Sequence, residues 1–123
     1  MNWTIKINEK DKYAEVDTSG DADKVGSLNM VKDIMTVLSQ KKIKRILIDH
    51  RNIESVSGDA LDVYDRPKEF EKIGIFPGIK VAEVVKPEHE EFFCFLETVF
   101  RNRGYQFTVF LEYESAIEWL LES

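Results

Sequence analysis

The chain has 123 residues, of which 43% are hydrophobic and 33% are charged, with a net charge of −6 and a pI near 5.0. This length suits one domain spanning residues 1–123 with its own core, and the composition excludes intrinsic disorder. The acidic balance argues against nucleic acid or an anionic membrane surface as partner, because both attract basic proteins.

Two alternating segments predict an N-terminal β-hairpin. Residues 3–7 and 13–17 alternate apolar and polar side chains, which is the period of half-buried strands, and a charged turn separates them. The pair Gly20-Asp21 is expected to end the second strand.

A helix and a buried strand follow the hairpin. Residues 23–40 place apolar side chains on one helical face, with Asp21 or Asp23 as the N-cap. Residues 44–49 are rich in isoleucine and end on Asp49, as an inner strand of a parallel sheet would. We expect residues 50–58 to form a polar loop at its carboxyl end, where open α/β sheets usually receive ligands and partners.

The rest of the chain alternates helices and strands. Pro67 interrupts the helical pattern that begins near residue 60, which predicts a kink or a new helix starting near Asp65. The later segments are a strand at 79–85, a helix at 88–103, a strand at 105–110 and a helix at 113–121.

This order predicts an α/β fold. Strict alternation after the hairpin, with right-handed crossovers, gives a mixed sheet of about five strands with a parallel centre. About four helices cover it.

The lack of a recognisable targeting signal and the single cysteine predict a cytoplasmic protein. The first residues lack the basic and apolar regions of a signal peptide, and no apolar run approaches the ~20 residues of a membrane helix. The lone Cys94 cannot form an internal disulfide, which suits a reducing compartment. We expect no stable membrane insertion.

Asp49 and Arg51 are candidate binding residues at the end of the central strand. Asp49 could act as an acceptor or base, and Arg51 could bind an anion. The structural alternative, which we favour, is that Asp49 caps the amides of its own loop while Arg51 points to solvent.

Ser55 and Ser57 are candidate phosphorylation sites, because a phosphate at the start of a helix meets unpaired amides and a favourable dipole. The simpler interpretation is that Ser57 or Asp59 is the N-cap of the following helix.

The third helix carries a wide aromatic stripe and ends on two arginines. A packed core helix explains most of the stripe, but its edge at Phe93 or Phe95 could line an apolar pocket or a dimer contact. Arg101 and Arg103 complement the helix dipole before Gly104, and together they could also form a local anion site.

No strong catalytic, cofactor or metal motif is present. The nominees for an enzyme are Asp49, Arg51 and Tyr64, which would have to converge in a polar cleft. His89 has no second histidine or cysteine at ligand spacing, so we predict neither a metal site nor a cofactor.

The order of elements resembles the bacterial SpoIIAA-like proteins, which are related to STAS domains and, in fold, to lipid-carrying CRAL–TRIO domains. The resemblance rests on the hairpin, Ile46-Leu47-Ile48-Asp49, Arg101-Asn102-Arg103-Gly104 and the closing segment from Val109-Phe110 to Ala116-Ile117-Glu118-Trp119-Leu120. It covers essentially the whole chain and implies their mixed α/β fold.

The resemblance also bears on regulation. Antagonist STAS domains carry a phosphorylatable serine in an Asp-Ser-Ser-Gly-like turn after a central strand. This chain has Asp49-His50-Arg51-Asn52 at that place, with Ser55 and Ser57 displaced, so a phosphorylation switch does not carry over.

Three functional hypotheses follow. The leading one is a non-enzymatic cytoplasmic regulatory module that binds a protein partner or a second copy of itself. The alternative is a carrier of a small apolar or lipid-like ligand, which requires a cavity of about 300 Å³ or more. An enzyme built on the three nominees is the third.

Overall fold

A mixed sheet of five strands lies at the centre of the protein. The computed structural model describes residues 1–122, so the last residue of the predicted 1–123 domain lies outside the described range. The strands are β1 (Asn2–Asn8), β2 (Tyr13–Ala22), β3 (Arg45–Val56), β4 (Lys80–Val84) and β5 (Gln106–Phe110). They lie in the order β1-β2-β3-β4-β5, with β1 antiparallel to β2 and the other neighbours parallel. This confirms the predicted sheet and hairpin.

Four helices cover the sheet, as predicted. They are α1 (Lys24–Lys41), α2 (Ala60–Ile73), α3 (Glu90–Arg101) and α4 (Tyr113–Leu120), and a 3₁₀ turn at Pro87–His89 precedes α3. Within residues 1–122, no helix combines the length and the apolar character needed to cross a membrane.

The helices divide between the two faces of the sheet. Val16, Ile48 and Val81 belong to the core beneath α1, α2 and α3, whereas Leu47 and Ala82 pack with α4. Successive right-handed crossovers between adjacent parallel strands return on the same side, which puts the first three helices together. Only α4, which follows the last strand, reaches the opposite face.

The central strand is longer than predicted. β3 continues to Val56, so the expected loop at residues 50–58 was wrong for most of its length. Likewise, β2 runs through Gly20 to Ala22 and supplies a pairing partner for this extension. Register shifts between Asp17 and Ser19 and between Gly20 and Asp21 disturb the two-residue alternation, which hides the strand from a periodicity argument.

The helix α2 passes through Pro67 without a second helix beginning at Asp65. Proline cannot donate to the carbonyl of the preceding turn, so it weakens the helix locally. Val63, Pro67 and Phe70 are all buried on one side of α2, and this packing holds the helix in place across the missing bond.

Candidate functional site

The ends of the two longest strands and the starts of two helices meet at one end of the sheet. The amide of Ser57, just after β3, donates to the carbonyl of Ala22 at the end of β2 over 2.9 Å. Asp23 caps α1 by accepting from the Gly26 amide at 2.6 Å, and Asp59 caps α2 by accepting from the Asp62 amide at 2.9 Å. The junction between β3 and α2 therefore lies beside the start of α1.

Three apolar side chains are exposed on the first turns of these two helices. Val25 of α1 is 69% exposed, and Leu61 and Tyr64 of α2 are 70% and 62% exposed. We call these three residues the apical patch. An isolated apolar side chain on a surface is ordinary, but a group at a strand-end junction marks a candidate contact surface.

The segments that meet at the apical patch are mostly acidic. Residues 19–23 and 52–65 converge at this end of the sheet, and their carboxylates belong to Asp21, Asp23, Glu54, Asp59, Asp62 and Asp65. Two cations lie among them: Lys24 begins α1, and Arg66 pairs with Asp62. Carboxylates outnumber cations around the patch, which favours a cationic partner.

The two candidate phosphorylation sites have different surroundings. Ser55 lies inside β3, and its hydroxyl is 2.5 Å from an Asp21 carboxylate oxygen. Ser57 is exposed in the junction, with its hydroxyl 3.5 Å from the carbonyl of Ala22. A phosphate at Ser55 would displace its bond to Asp21 and add like charge beside that carboxylate, so Ser57 is the better placed of the two.

A buried ion pair supports the junction from beneath. The side chain of Arg66 is 4% exposed, and its Nη2 lies 3.0 Å from Oδ2 of Asp62 one helical turn earlier. Gly58 sits against this pair with φ at +133°, and a Cβ there would come 2.4 Å from the same Asp62 oxygen. The backbone conformation favours glycine here, and a Cβ would press on the Asp62 carboxylate.

Deeper in the molecule, a histidine and a glutamate meet between the sheet and α3. The side chains of His50 and Glu83 are 4% and 5% exposed, with Nε2 of the imidazole 3.4 Å from Oε2 of the carboxylate. The hydroxyl of Thr18 lies 2.7 Å from Nδ1, and the Phe93 ring stacks on the imidazole at 4.8 Å between centroids. Thr18 is itself 2% exposed, so its hydroxyl orients the imidazole and has no opening to a substrate.

This pair was missed from the sequence, although it left two signals. His50 follows Ile46 and Ile48 at two-residue spacing, which points it into the core once the strand is extended. Glu83 interrupts the apolar run at residues 81–85, and a buried carboxylate requires a partner.

A small cavity adjoins the buried pair. Its volume is about 50 Å³, and its mostly apolar lining includes His50, Arg66 and Glu83. Within residues 1–122, Nε of Arg66 and Oε1 of Glu83 have no hydrogen-bond partner. The space suits a few water molecules and is far below the roughly 300 Å³ that a carried ligand needs.

Asp49 and Arg51 pair with each other on the α4 side of the sheet. Arg51 donates from Nε and Nη2 to the two carboxylate oxygens of Asp49 at 2.9 and 2.7 Å, and its guanidinium lies 5.3 Å from the centroid of the Tyr113 ring. Burial disfavours ionisation of Asp49, but the hydrogen bonds and the charge of Arg51 outweigh it and lower the pKa of the carboxyl. The Tyr113 hydroxyl in turn donates to Glu15.

The three enzyme nominees do not converge. Asp49 and Arg51 face α4, whereas Tyr64 projects from α2 on the opposite side of the sheet. Asp49 also accepts a hydrogen bond from the Arg51 amide at 3.0 Å, but both residues lie inside β3, so Asp49 does not cap a loop as expected. Among residues 1–122, no group of three or more His, Cys, Asp or Glu side chains is arranged to hold a metal.

The candidates on the third helix separate into different roles. Phe93 is 3% exposed and lines the cavity, so it forms no surface contact, whereas Phe95 is 43% exposed. Arg101 donates from Nε to the carbonyl of Phe107 at 2.8 Å, and Arg103 forms an ion pair with Glu71 at 2.6 Å. The two guanidinium groups are therefore engaged separately rather than forming one anion site.

Known structures share this architecture over nearly the whole chain. An anti-sigma factor antagonist from Mycobacterium paratuberculosis has a TM-score of 0.66 at 14% identity, covering 98% of this chain and 96% of its own. A DUF3478-family protein from Shewanella loihica PV-4, described as having a SpoIIAA-like fold, has a TM-score of 0.56 at 21% identity, covering 97% and 92%. This chain has a SpoIIAA-like fold.

The anti-sigma factor antagonist SpoIIAA in its unphosphorylated form is also similar, with a TM-score of 0.55 at 13% identity over 96% of each chain. No protein-family model matches the chain, and no curated protein matches it in sequence. The resemblance stated from the order of elements is thus confirmed for the fold.

The structure also relocates the turn that follows the central strand. The sequence comparison placed the turn after the central strand at residues 49–52, but these residues lie within β3. The turn that follows the strand contains Ser57 and Gly58. Residues 49–52 therefore do not correspond to the turn after the central strand, because β3 ends at Val56 and not at Asp49.

Proposed function

We propose that this protein is a non-enzymatic regulatory module that binds another protein through the apical patch. The observation that carries the proposal is the exposure of Val25, Leu61 and Tyr64 at the strand-end junction. Two of the similar solved structures are anti-sigma factor antagonists, so the same fold serves regulation by protein contact in those proteins.

The partner that fits this surface is a folded protein with an apolar centre and a basic rim. Interfaces derive most of their affinity from a few aromatic and aliphatic anchors at the centre, with charged residues around them. Here Leu61 and Tyr64 supply the anchors, and the carboxylates of residues 19–23 and 52–65 supply the negative rim.

Ser57 gives the proposal a regulatory position. Its exposed hydroxyl stands in the junction, before the N-cap of α2. A phosphate there would add negative charge to a rim that is already acidic, so it would strengthen the electrostatic attraction to a basic partner. Binding at a cavity plays no part in this proposal, because about 50 Å³ leaves no room for a carried ligand.

Affinity capture with matched variants tests the proposal. The wild-type protein, the double variant Leu61→Ser/Tyr64→Ser and the control Phe76→Ser are each used to capture proteins from the native lysate, with quantification by mass spectrometry. Phe76 is 43% exposed and precedes β4, at the opposite end of the sheet. We expect a basic partner that the wild type and the control retain and the double variant loses.

The candidate partner is then purified and its affinity for each variant is measured. Removal of two central anchors should weaken binding by about 30-fold or more. Equal affinity for all three proteins would show that the apical patch is not the binding surface.

A further inference from the structure

The two edges of the sheet are finished in different ways. At β5, the Nε of Arg101 donates to the carbonyl of Phe107 at 2.8 Å, and Glu97 accepts from the amide of Val109 at 2.6 Å. Side chains of α3 thus occupy backbone groups of this five-residue edge strand. Such capping prevents another strand from pairing there.

The edge at β1 lacks this capping of its backbone groups, and its one charged side chain is Lys6. β1 is seven residues long, contains neither proline nor glycine, and pairs with β2 without a register shift. Its further hydrogen bonds are made by its side chains. Nε1 of Trp3 donates to Asp33 at 2.9 Å, and the Asn8 side chain donates to the Tyr13 hydroxyl and accepts from the Asp11 amide. Within residues 1–122, no side chain bonds to the outer backbone of β1, which therefore remains open to strand addition.

The side chains of β1 alternate between two environments. Trp3, Ile5 and Ile7 are half-buried beside α1, whereas Thr4 and Lys6 are exposed on the other face. An open groove of about 360 Å³ runs along the half-buried side between β1 and α1. Its lining consists of Trp3, Ile5, Asp33, Thr36 and Val37.

We propose that β1 is a docking edge for a second copy of this chain, which pairs antiparallel through its own β1. With Ile5 at the two-fold axis, the full strand overlaps: Trp3 faces Ile7, and Thr4 faces Lys6. The half-buried side chains of both copies then lie on the same face of one continuous sheet, and the two Lys6 side chains are not opposite each other.

Other registers of this pairing are less favourable. Centring the pair on Lys6 puts the two lysines opposite each other, and like charges that face directly destabilise a ladder. Centring it on Thr4 shortens the overlap to residues 2–6. A shift by one residue sets apolar side chains against polar ones. Of these registers, the one centred on Ile5 is the most favourable.

Opposite charge changes at Thr4 test this register. In the proposed dimer, Thr4→Glu sets a carboxylate against Lys6 of the second copy, and the symmetry creates this pair twice, so dimerisation should tighten about tenfold. Thr4→Lys sets like charges together and should weaken dimerisation about tenfold. The dimer dissociation constants of both variants and of the wild type are measured by sedimentation equilibrium.

This design separates the proposed pairing from simpler explanations. Thr4 pairs with Asp17 inside the monomer, so Thr4→Lys should favour the folded monomer while it weakens the dimer. Net charge alone predicts the reverse order of dimer affinity, because the chain is already at −6 and Thr4→Glu increases repulsion. Gln106→Glu and Gln106→Lys are matched controls on the exposed side of the capped edge strand, and they should leave the dimer constant unchanged.

A wild type that stays monomeric at millimolar concentration would overturn the proposal. The proposal would also be overturned if the dimer dissociation constant changed in the same direction in both Thr4 variants, or if it changed in neither variant. The test does not depend on the apical patch, because residues 4 and 106 both lie outside it.

Discussion

Asp49 and Arg51 illustrate how a pair two residues apart on one strand is fixed by local geometry. Their side chains share a face of β3, and Arg51 reaches both carboxylate oxygens of Asp49 while covering the Tyr113 ring. The side chain of Asp49 is 14% exposed and that of Arg51 is 49% exposed, so water screens the pair on one side. The pair contributes modestly to stability and keeps Asp49 ionised.

Asp49→Asn should make the free energy of unfolding less dependent on pH in acid. The pKa of Asp49 is lower in the folded state than in the unfolded chain, so its contribution is present above pH ~4 and is lost as the pH falls through the folded-state pKa. The variant should be less stable by about 1 kcal/mol or less at pH 7, and the difference should shrink as the pH falls through the folded-state pKa. Urea unfolding between pH 7 and pH 2 measures this difference; a constant difference across that range would contradict it.

At the residue scale, the sequence predicted some neighbours and missed others. It placed Asp49 and Arg51 together at a predicted strand end, although both residues lie inside β3. It missed His50 and Glu83 as a pair because their contact joins β3 to β4 at a point where the sequence had ended the first strand. A contact made by the last residues of a strand cannot be predicted when the predicted strand ends too early.

Among the elements, the junction between β3 and α2 depends most on a single residue. Gly58 has φ at +133° and lies against Asp62, which pairs with the buried Arg66. A side chain at this position must displace the Asp62 carboxylate, and the buried guanidinium would then lose its counter-ion.

Gly58→Ala should therefore destabilise the protein by about 2–4 kcal/mol, because it combines backbone strain with loss of a buried ion pair. Gly104→Ala is the matched control: Gly104 also has a positive φ, at +88°, but a Cβ there meets no atom within 4 Å. This control should cost only about 1 kcal/mol, the strain itself. Chemical denaturation measures the loss of unfolding free energy in each variant. Equal losses would show that the Asp62–Arg66 pair does not contribute to the effect at Gly58.

Element order and layer arrangement could be predicted from the sequence because hydrophobic periodicity marks each helix and most strands. The ends of β2 and β3 could not, since register shifts near Asp17 and Gly20 disturb the alternation on which strand prediction relies. The sequence offered two candidates for the N-cap of α1, Asp21 and Asp23, and two for that of α2, Ser57 and Asp59. In the structure, Asp23 and Asp59 are the N-caps. An N-cap bond joins residues only three apart in sequence, so it can be predicted even where the ends of the neighbouring strands are misplaced.

On the scale of the whole molecule, the charge distribution separates the two proposed surfaces. The chain carries −6 overall, and carboxylates outnumber Lys24 and Arg66 around the apical patch. By contrast, the one charged side chain of β1 is Lys6. A partner at the apical patch is thus held by long-range attraction, whereas two copies that meet at β1 must approach against repulsion between their net charges.

Salt should consequently act in opposite directions on the two associations. The Debye length falls from about 30 Å at 0.01 M salt to about 10 Å at 0.1 M, which screens repulsion between two copies at −6. Dimerisation through β1 should tighten several-fold over this range, because its backbone pairing and apolar contacts are short-range. Binding of a basic partner at the apical patch should weaken over the same range, because screening removes its electrostatic attraction. Sedimentation equilibrium for the dimer and titration calorimetry for the partner measure the two slopes; a dimer that dissociates as salt rises would show that attraction between opposite charges, rather than pairing of β1 strands, holds the copies together.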